Sequence, residues 1–364
     1  MANPYDLWLA SVPGIGQRKI ASIISACGTA RECFYLKEEA LRYIPLLRED
    51  DMQRIVESRR TWDLERQWEA LAKRNVSVIR KGEAGYPSRL LSLFDAPHLL
   101  FFRGKLPAEE QRAVAMVGAR ECTEYGRDMA KRIAGALAAA GVIVISGMAR
   151  GIDAASHAGA IAGGGETYAL LGCGPDICYP RSGRQLYETL VSRFGVLSEF
   201  APGTPPEKGF FPARNRLISA LSDAVLVIEA RARSGSLITA DFALEQGKDV
   251  YALPGRITDA LSYGTNQLIR QGAYPIVSVE ELLTDLKVKG VHAGNAGNTK
   301  EPCLRALPAT ERTVYEALEI LPKGLEELLE KTDLSIPALS AALDGLIKKH
   351  LAEEGFPGAY RRLY

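Results

Sequence analysis

From about residue 112 onward the chain carries a series of short apolar runs, AVAMVG, VIVISG, TYALLG, VLSEF, AVLVIEA, DVYALPG and YPIVS, each ending at a small or polar turn. Such runs are too short for buried helices, and they lack the polar alternation of a strand with one wet face. Strands of this kind belong to a parallel sheet covered by helices on both sides. The intervening segments YGRDMAKRIAGALAAAG, DAASHAGAIAGG, RQLYETLVSRFG and SLITADFALEQG supply those helices. The expected fold class is α/β, an extended Rossmann-like, doubly wound and mostly parallel sheet.

At 364 residues the chain exceeds one comfortable domain, so appendages are expected on either side of this sheet. Residues 1–65 have helical patterning interrupted at Pro13-Gly14-Ile15-Gly16 and Gly28, which reads as a small helical domain of SAM or helix-hairpin-helix type. The turn VPGIGQRK can meet phosphates through its backbone amides or can simply pack two helices. The slight acidity of this segment favours packing. Residues 66–286 are expected to form the Rossmann-like domain, with 66–111 extending the sheet at one edge. The polar, glycine-rich stretch 287–302 reads as a linker. Residues 303–364 hold three amphipathic segments and a short hairpin, the pattern of a winged-helix-like module.

The net charge of +1 is unevenly spread: residues 66–302 carry 28 Lys+Arg against 24 Asp+Glu, whereas both flanking segments are slightly acidic. A polyanion site therefore belongs in the middle segment. No apolar run approaches the length needed to cross a bilayer, and the N-terminal MANPYDLWLASVPG lacks a basic start followed by an apolar stretch, so a cytoplasmic protein is expected. The 6 cysteines form no CxxC pair and the 4 histidines are scattered, so neither a disulfide framework nor a metal site is expected.

In open parallel sheets, ligands bind beyond the carboxyl ends of the strands. There this sequence places VGAREC, SGMARGID, LGCGPDICYPRSG and EARARSGSLITA. Gly118, Ser146, Gly147, Gly172, Gly174, Ser234, Gly235 and Ser236 would let backbone N–H groups approach anions, or would merely permit tight turns. Arg120, Arg150, Arg181, Arg214, Arg216, Arg231 and Arg233 beside them point to a ligand with several phosphates. The Arg214/Arg216 pair has a second reading, as a brace of adjacent loops through Glu199 or Glu229. A GxGxxG fingerprint and a GxxxxGK[ST] loop are both missing, so no nucleotide cofactor is expected. A hydrolase cleaving nucleoside monophosphates on a related fold is the alternative, although Ala240 and Asp241 stand where its loop carboxylate belongs. His157, within AASHAGA, reads as a packed histidine.

The motifs VGAR, SGMARGIDAASHAGA, CYPRSG, SEFAPGTPP, FPARNRLISALS, VIEA, SGSLITADFALEQGKDVYALPG and SYGTNQLIRQGA occur in order across roughly residues 80–275. Together they resemble the DNA-processing protein A (DprA/Smf) family. The resemblance implies a non-enzymatic protein that binds single-stranded DNA without strong sequence preference. It also implies protection of incoming strands in natural transformation, loading of the RecA recombinase, and a homodimer formed through the Rossmann-like domain. Carried over by motif, the basic residue of the VGxR turn is Arg120 and the one after YP is Arg181. Gly183 stands where the family often has asparagine. The expected DNA-binding set joins Arg120 and Arg181 with the strand-end residues Gly118, Ser146, Gly147, Arg214, Arg216, Ser234, Gly235 and Ser236, with no catalytic residue expected. The acidic balance of residues 303–364 favours protein contact over duplex binding there.

Overall fold

The computed structural model describes residues 1–287, 307–319, 322–349 and 351–362. It falls into two compact units, Met1–Gly290 and Val291–Tyr364. The expected linker at 287–302 lies, apart from Lys287, outside the described residues.

The first unit is built on a sheet of nine strands: β1 (Ser77–Arg80), β2 (Leu99–Gly104), β3 (Ala113–Val117), β4 (Ile143–Ser146), β5 (Thr167–Leu170), β6 (Gly195–Ser198), β7 (Ala224–Val227), β8 (Asp249–Ala252) and β9 (Tyr274–Pro275). Their spatial order is β1-β2-β6-β5-β4-β3-β7-β8-β9. From β6 across to β9 every pairing is parallel, while β1 and β2 add an antiparallel edge. Every residue of β3 to β7 is buried, as their unbroken apolar runs require.

Helices α6 (Glu124–Ala139), α7 (Ile152–Ala162) and α8 (Arg184–Arg193) connect β3 through β6. The chain then returns past β3 by α9 (Phe210–Ala220) and continues outward through α10 (Gly235–Glu245) and α11 (Tyr263–Arg270). Because the direction of travel reverses, right-handed crossovers put α6–α8 on one face and α9 and α10 on the other. The doubly wound Rossmann-like sheet read from the sequence is present, with its switch point between β3 and β7. Helix α9 is secured at its C-terminus by Lys248, whose ammonium donates to the carbonyls of Ser219, Ala220 and Ser222. Lys248→Met strands those acceptors and is expected to lower stability by about 1–3 kcal/mol, read from the urea unfolding midpoint. An unchanged midpoint would reject that role.

Five helices precede the sheet: α1 (Pro4–Ser11), α2 (Gln17–Cys27), α3 (Ala30–Tyr35), α4 (Glu49–Thr61) and α5 (Leu64–Lys73). Asn3 caps α1 in a capping box with Asp6, and Trp8, Leu9, Ile20, Ile23, Leu41 and Ile55 close a core of their own. The same helices are clasped to the sheet edge. Leu7 and Leu71 pack with Leu99 and Phe101, buried Asp6 meets His98 Nε2 at 2.9 Å, and the His98 amide donates to Gln17 Oε1. Helix α5 runs across the expected boundary at 65/66.

The second unit contains α12 (Ala309–Ala317), β10 (Lys323–Gly324), α13 (Leu325–Thr332), α14 (Ile336–Lys348), β11 (Ala352–Phe356) and β12 (Ala359–Arg362). The strands pair antiparallel in the order β10-β12-β11, and Val314, Leu328, Leu339, Leu343 and Leu346 are among the side chains of its core.

Candidate nucleic-acid interface

The loops after β3, β4 and β5 converge at the carboxyl ends of the strands. Gly118 is in contact with Ile152 at the start of α7, where a Cβ would lie 2.6 Å from its Cγ1. Only glycine allows this approach, and the Ile152 amide reaches the Ala119 carbonyl at 3.1 Å. The next residue but one is Arg120, exposed, with its guanidinium carbon 5.3 Å from the centroid of the Phe211 ring. Phe211 in turn lies 5.4 Å from Tyr179, the ring planes tilted by 32°, and Tyr179 is 41% exposed. Arg120, Gly147, Ala149, Arg150, Tyr179, Pro180, Phe211 and Arg214 line one small cleft of about 50 Å³. Arg181 follows at the turn before α8 and is exposed. Among the described residues, Arg120, Arg150 and Arg181 have no carboxylate partner within ion-pair distance, so their charge faces solvent and whatever approaches from it.

The floor of the cleft is a buried polar assembly. Asp153 accepts from the amides of Gly147 and Ala149, at 3.2 and 3.3 Å. Arg214 lies buried beside them and donates to the carbonyls of Gly147, at 3.0 Å, and Leu170. Burial pushes the Arg214 guanidinium down to about 10, and it pushes the Asp153 carboxyl up against the pull of Arg214. Arg214 and Asp153 lie together under the cleft, each offsetting the cost of burying the other.

The geometry corrects several sequence-level assignments. Arg216 is no cleft residue: its guanidinium donates to Glu199 at 2.9 and 2.8 Å and to Asp95 at 3.0 Å, and it is buried on the far side of α9. The brace reading holds for Arg216 through Glu199. It does not hold for Arg214, which donates to the Gly147 and Leu170 carbonyls and to Asn215 Oδ1 rather than to Glu199 or Glu229. Glu229 is already occupied by the Thr123 amide at 2.9 Å and by the Thr123 hydroxyl, and it fills the notch between the ends of β3 and β7. Ser146 is fully buried and donates to the Met116 carbonyl at 2.6 Å. The Gly147 amide is spent on Asp153, leaving only its backbone surface in the cleft. Ser234 caps α10, its hydroxyl 2.8 Å from that of Ser236, and the Gly235 carbonyl accepts from Asn215. Those three residues lie at the end of the β7 loop and the start of α10 and do not line the cleft. Arg231 and Arg233 on that loop are exposed.

His157 is fully buried. Thr167 donates to the Val144 carbonyl, so its oxygen must accept from His157 Nδ1, which fixes the neutral tautomer. Burial lowers the imidazole to about 3, consistent with a packed role.

Sequence reasoning missed a second basic group. Arg127 and Lys131 project from α6 toward a groove of about 330 Å³ that also reaches Arg150 and α8. Their i,i+4 spacing on a helix beginning just after VGAREC was the available signal.

Residues 77–287 match the profile of the DNA recombination-mediator protein A family. The chain belongs to this family. Protein Smf of Escherichia coli is 37% identical over 301 residues that span 80% of this chain and 79% of that protein. The DNA processing protein DprA of Streptococcus pneumoniae is 42% identical over 202 residues, 56% of this chain and 71% of that one. A solved structure of the S. pneumoniae family member superposes with a TM-score of 0.69 at 33% identity, covering 78% of this chain and 98% of that chain. A structure of the Helicobacter pylori member, described as revealing its single-stranded DNA binding mode, gives a TM-score of 0.54 at 30% identity and covers 58% of this chain and 95% of that one. Among the described residues no helix is long and apolar enough to cross a membrane.

Proposed function

We propose that the cleft at Arg120, Tyr179 and Phe211 binds single-stranded DNA without strong sequence preference, and that the chain is a non-catalytic mediator handing that strand to the RecA recombinase. The observation that carries this reading is the grouping of exposed, unpaired Arg120 and Arg150 around the Tyr179–Phe211 pair, with exposed Arg181 two residues beyond Tyr179. Guanidinium groups take phosphates, and the Tyr179 and Phe211 rings take the faces of unstacked bases, which a duplex keeps covered. The carboxylate beneath the cleft, Asp153, is buried and accepts from the Gly147 and Ala149 amides, which supports binding over hydrolysis. The H. pylori relative supports the choice of single-stranded DNA. Protection of incoming strands in natural transformation, action in the cytoplasm and assembly as a homodimer through the Rossmann-like unit are parts of the same proposal, supported by family membership. The second unit, slightly acidic and winged-helix-like in its element order, is assigned to protein contact.

Fluorescence anisotropy with an unstructured oligonucleotide tests the reading. Arg120→Ala is expected to weaken single-strand binding about tenfold and to reduce the dependence on salt by about one phosphate contact, while duplex of the same length binds more weakly throughout. Equal affinity for duplex, or an Arg120→Ala curve superimposed on the wild type, rejects it.

A further inference from the structure

We propose that the groove between α6, α7 and α8 is a second nucleotide subsite, filled by the nucleotides that follow those held at Arg120 on the same strand. This rests on the single-strand reading of the cleft and extends it. At about 330 Å³ the groove has the volume of a small-ligand site. Its rim carries Arg127 and Lys131, one helical turn apart on α6, and Arg150 from the loop before α7. All three are exposed, and among the described residues none has a carboxylate within ion-pair distance. Arg184, on neighbouring α8, is by contrast paired with Glu188 at 2.8 Å. Three cations left unpaired around one concavity attract a phosphate rather than stabilise the fold.

The floor matches the rest of a nucleotide. Ala154, Ala155 and Ala158 of α7, with Met148 and Leu186, give an apolar surface that suits the face of a base. Ser182 is the one uncharged polar side chain in the lining, so base edges find little to read and occupancy tolerates any sequence. The groove is also preformed. Helices α6 and α7 meet backbone to backbone at Gly159, where a Cβ would fall 2.3 Å from the Lys131 carbonyl, and again at Gly163 against Gly135. The wall that carries Lys131 is therefore fixed relative to the alanine floor. Finally, Ala149, Arg150 and Pro180 line both this groove and the first cleft, so a strand leaving Tyr179 crosses Arg150 directly into it.

The experiment compares oligothymidylates of about four and about twelve nucleotides, lengths that fill one subsite or bridge both. Ala158→Trp fills the groove at an exposed position without changing charge, and Lys131→Glu reverses one rim charge. Each is expected to weaken the longer oligonucleotide about tenfold while leaving the shorter within about twofold. Arg120→Ala, which probes the first cleft, is expected to weaken both lengths. If Ala158→Trp keeps the wild-type affinity for the longer strand, the groove assignment falls, whatever Arg120→Ala does. If only Arg120→Ala is silent, the first cleft falls, and with it the groove's place as a second subsite on a strand held there, while the groove remains a strand-binding site by itself. Thymidine monophosphate alone is expected to bind no tighter than about millimolar, because tethering to the bound strand is what fills the groove. Micromolar binding that Ala158→Trp abolishes would give the groove to a free nucleotide and overturn the strand assignment.

Discussion

Arg216→Met is expected to destabilise the Met1–Gly290 unit by about 3–5 kcal/mol near neutral pH, measured by urea unfolding. Arg216 and Glu199 form a two-bonded ion pair that is buried on both sides, and Asp95 accepts a third bond. Burial lowers the guanidinium, yet the Glu199 and Asp95 carboxylates more than offset it and leave Arg216 above its ordinary value. Burial also raises Glu199, and Arg216 is the main influence opposing that rise. Removing the guanidinium leaves a buried carboxylate without its partner, so the Glu199 pKa in the folded state climbs further above its unfolded value. Stability tied to a raised carboxylate is present below the unfolded pKa and is lost as pH rises through the folded one. The deficit should therefore be largest near pH 7 and shrink on acidification toward about pH 5. Adding Glu199→Gln should recover part of it, since a neutral amide costs less to bury unpaired. A deficit independent of pH, with no recovery in the double variant, would show that the pair is not what holds α9 to the β6 loop and the Asp95 loop.

Gly151→Ala should cost on the order of 3 kcal/mol and abolish detectable strand binding. Gly151 has φ +78 and ψ −125, a conformation open to glycine alone, and a Cβ would lie 2.2 Å from the Ala119 carbonyl and 2.6 Å from that of Arg120. Both obstacles are backbone, and both belong to the loop that presents Arg120. The chain can accept the methyl group only by separating the β3 and β4 loops, which moves Arg120 away from Phe211. Gly164→Ala provides the comparison: its φ is +77, but no heavy atom lies within 4 Å of the added carbon. It should cost only about 1 kcal/mol and leave binding intact. If the two substitutions prove equally mild, the close approach of the two loops is not a constraint on the site.

The sheet was legible in the sequence because burial on both faces removes the need for polar alternation, and runs such as AVAMVG and AVLVIEA display that directly. The antiparallel edge was placed at residues 66–111 without its register, since a strand such as Ser77–Arg80, with one buried residue, carries little pattern. Side-chain direction was the harder question. Arg214 and Arg216 are two residues apart on a helix, so they leave it on nearly opposite sides, and one lies under the cleft while the other reaches Glu199. Which goes where depends on the position of α9 over the sheet, which local pattern does not encode. Ser146 and the Gly147 amide were misassigned for a related reason. A small residue at a strand end is equally suited to an anion or to an inward hydrogen bond, and Met116 and Asp153 supply the inward partners here. The Tyr179–Phe211 pair is not legible in the sequence, because aromatics beside strand ends are usually packed, and only the fold shows Tyr179 exposed.

The Glu229 carboxylate fills the notch between the ends of β3 and β7. In doubly wound sheets that notch is where a dinucleotide's pyrophosphate settles. Here it holds an acidic group bonded to Thr123, and Gly126 packs so closely that a Cβ would fall 2.3 Å from the carboxyl carbon. The position is both full and of the wrong sign for a phosphate. A pyrophosphate at that position would meet a carboxylate rather than open space, while the exposed Arg150 and Arg181 lie to one side, beyond β4 and β5.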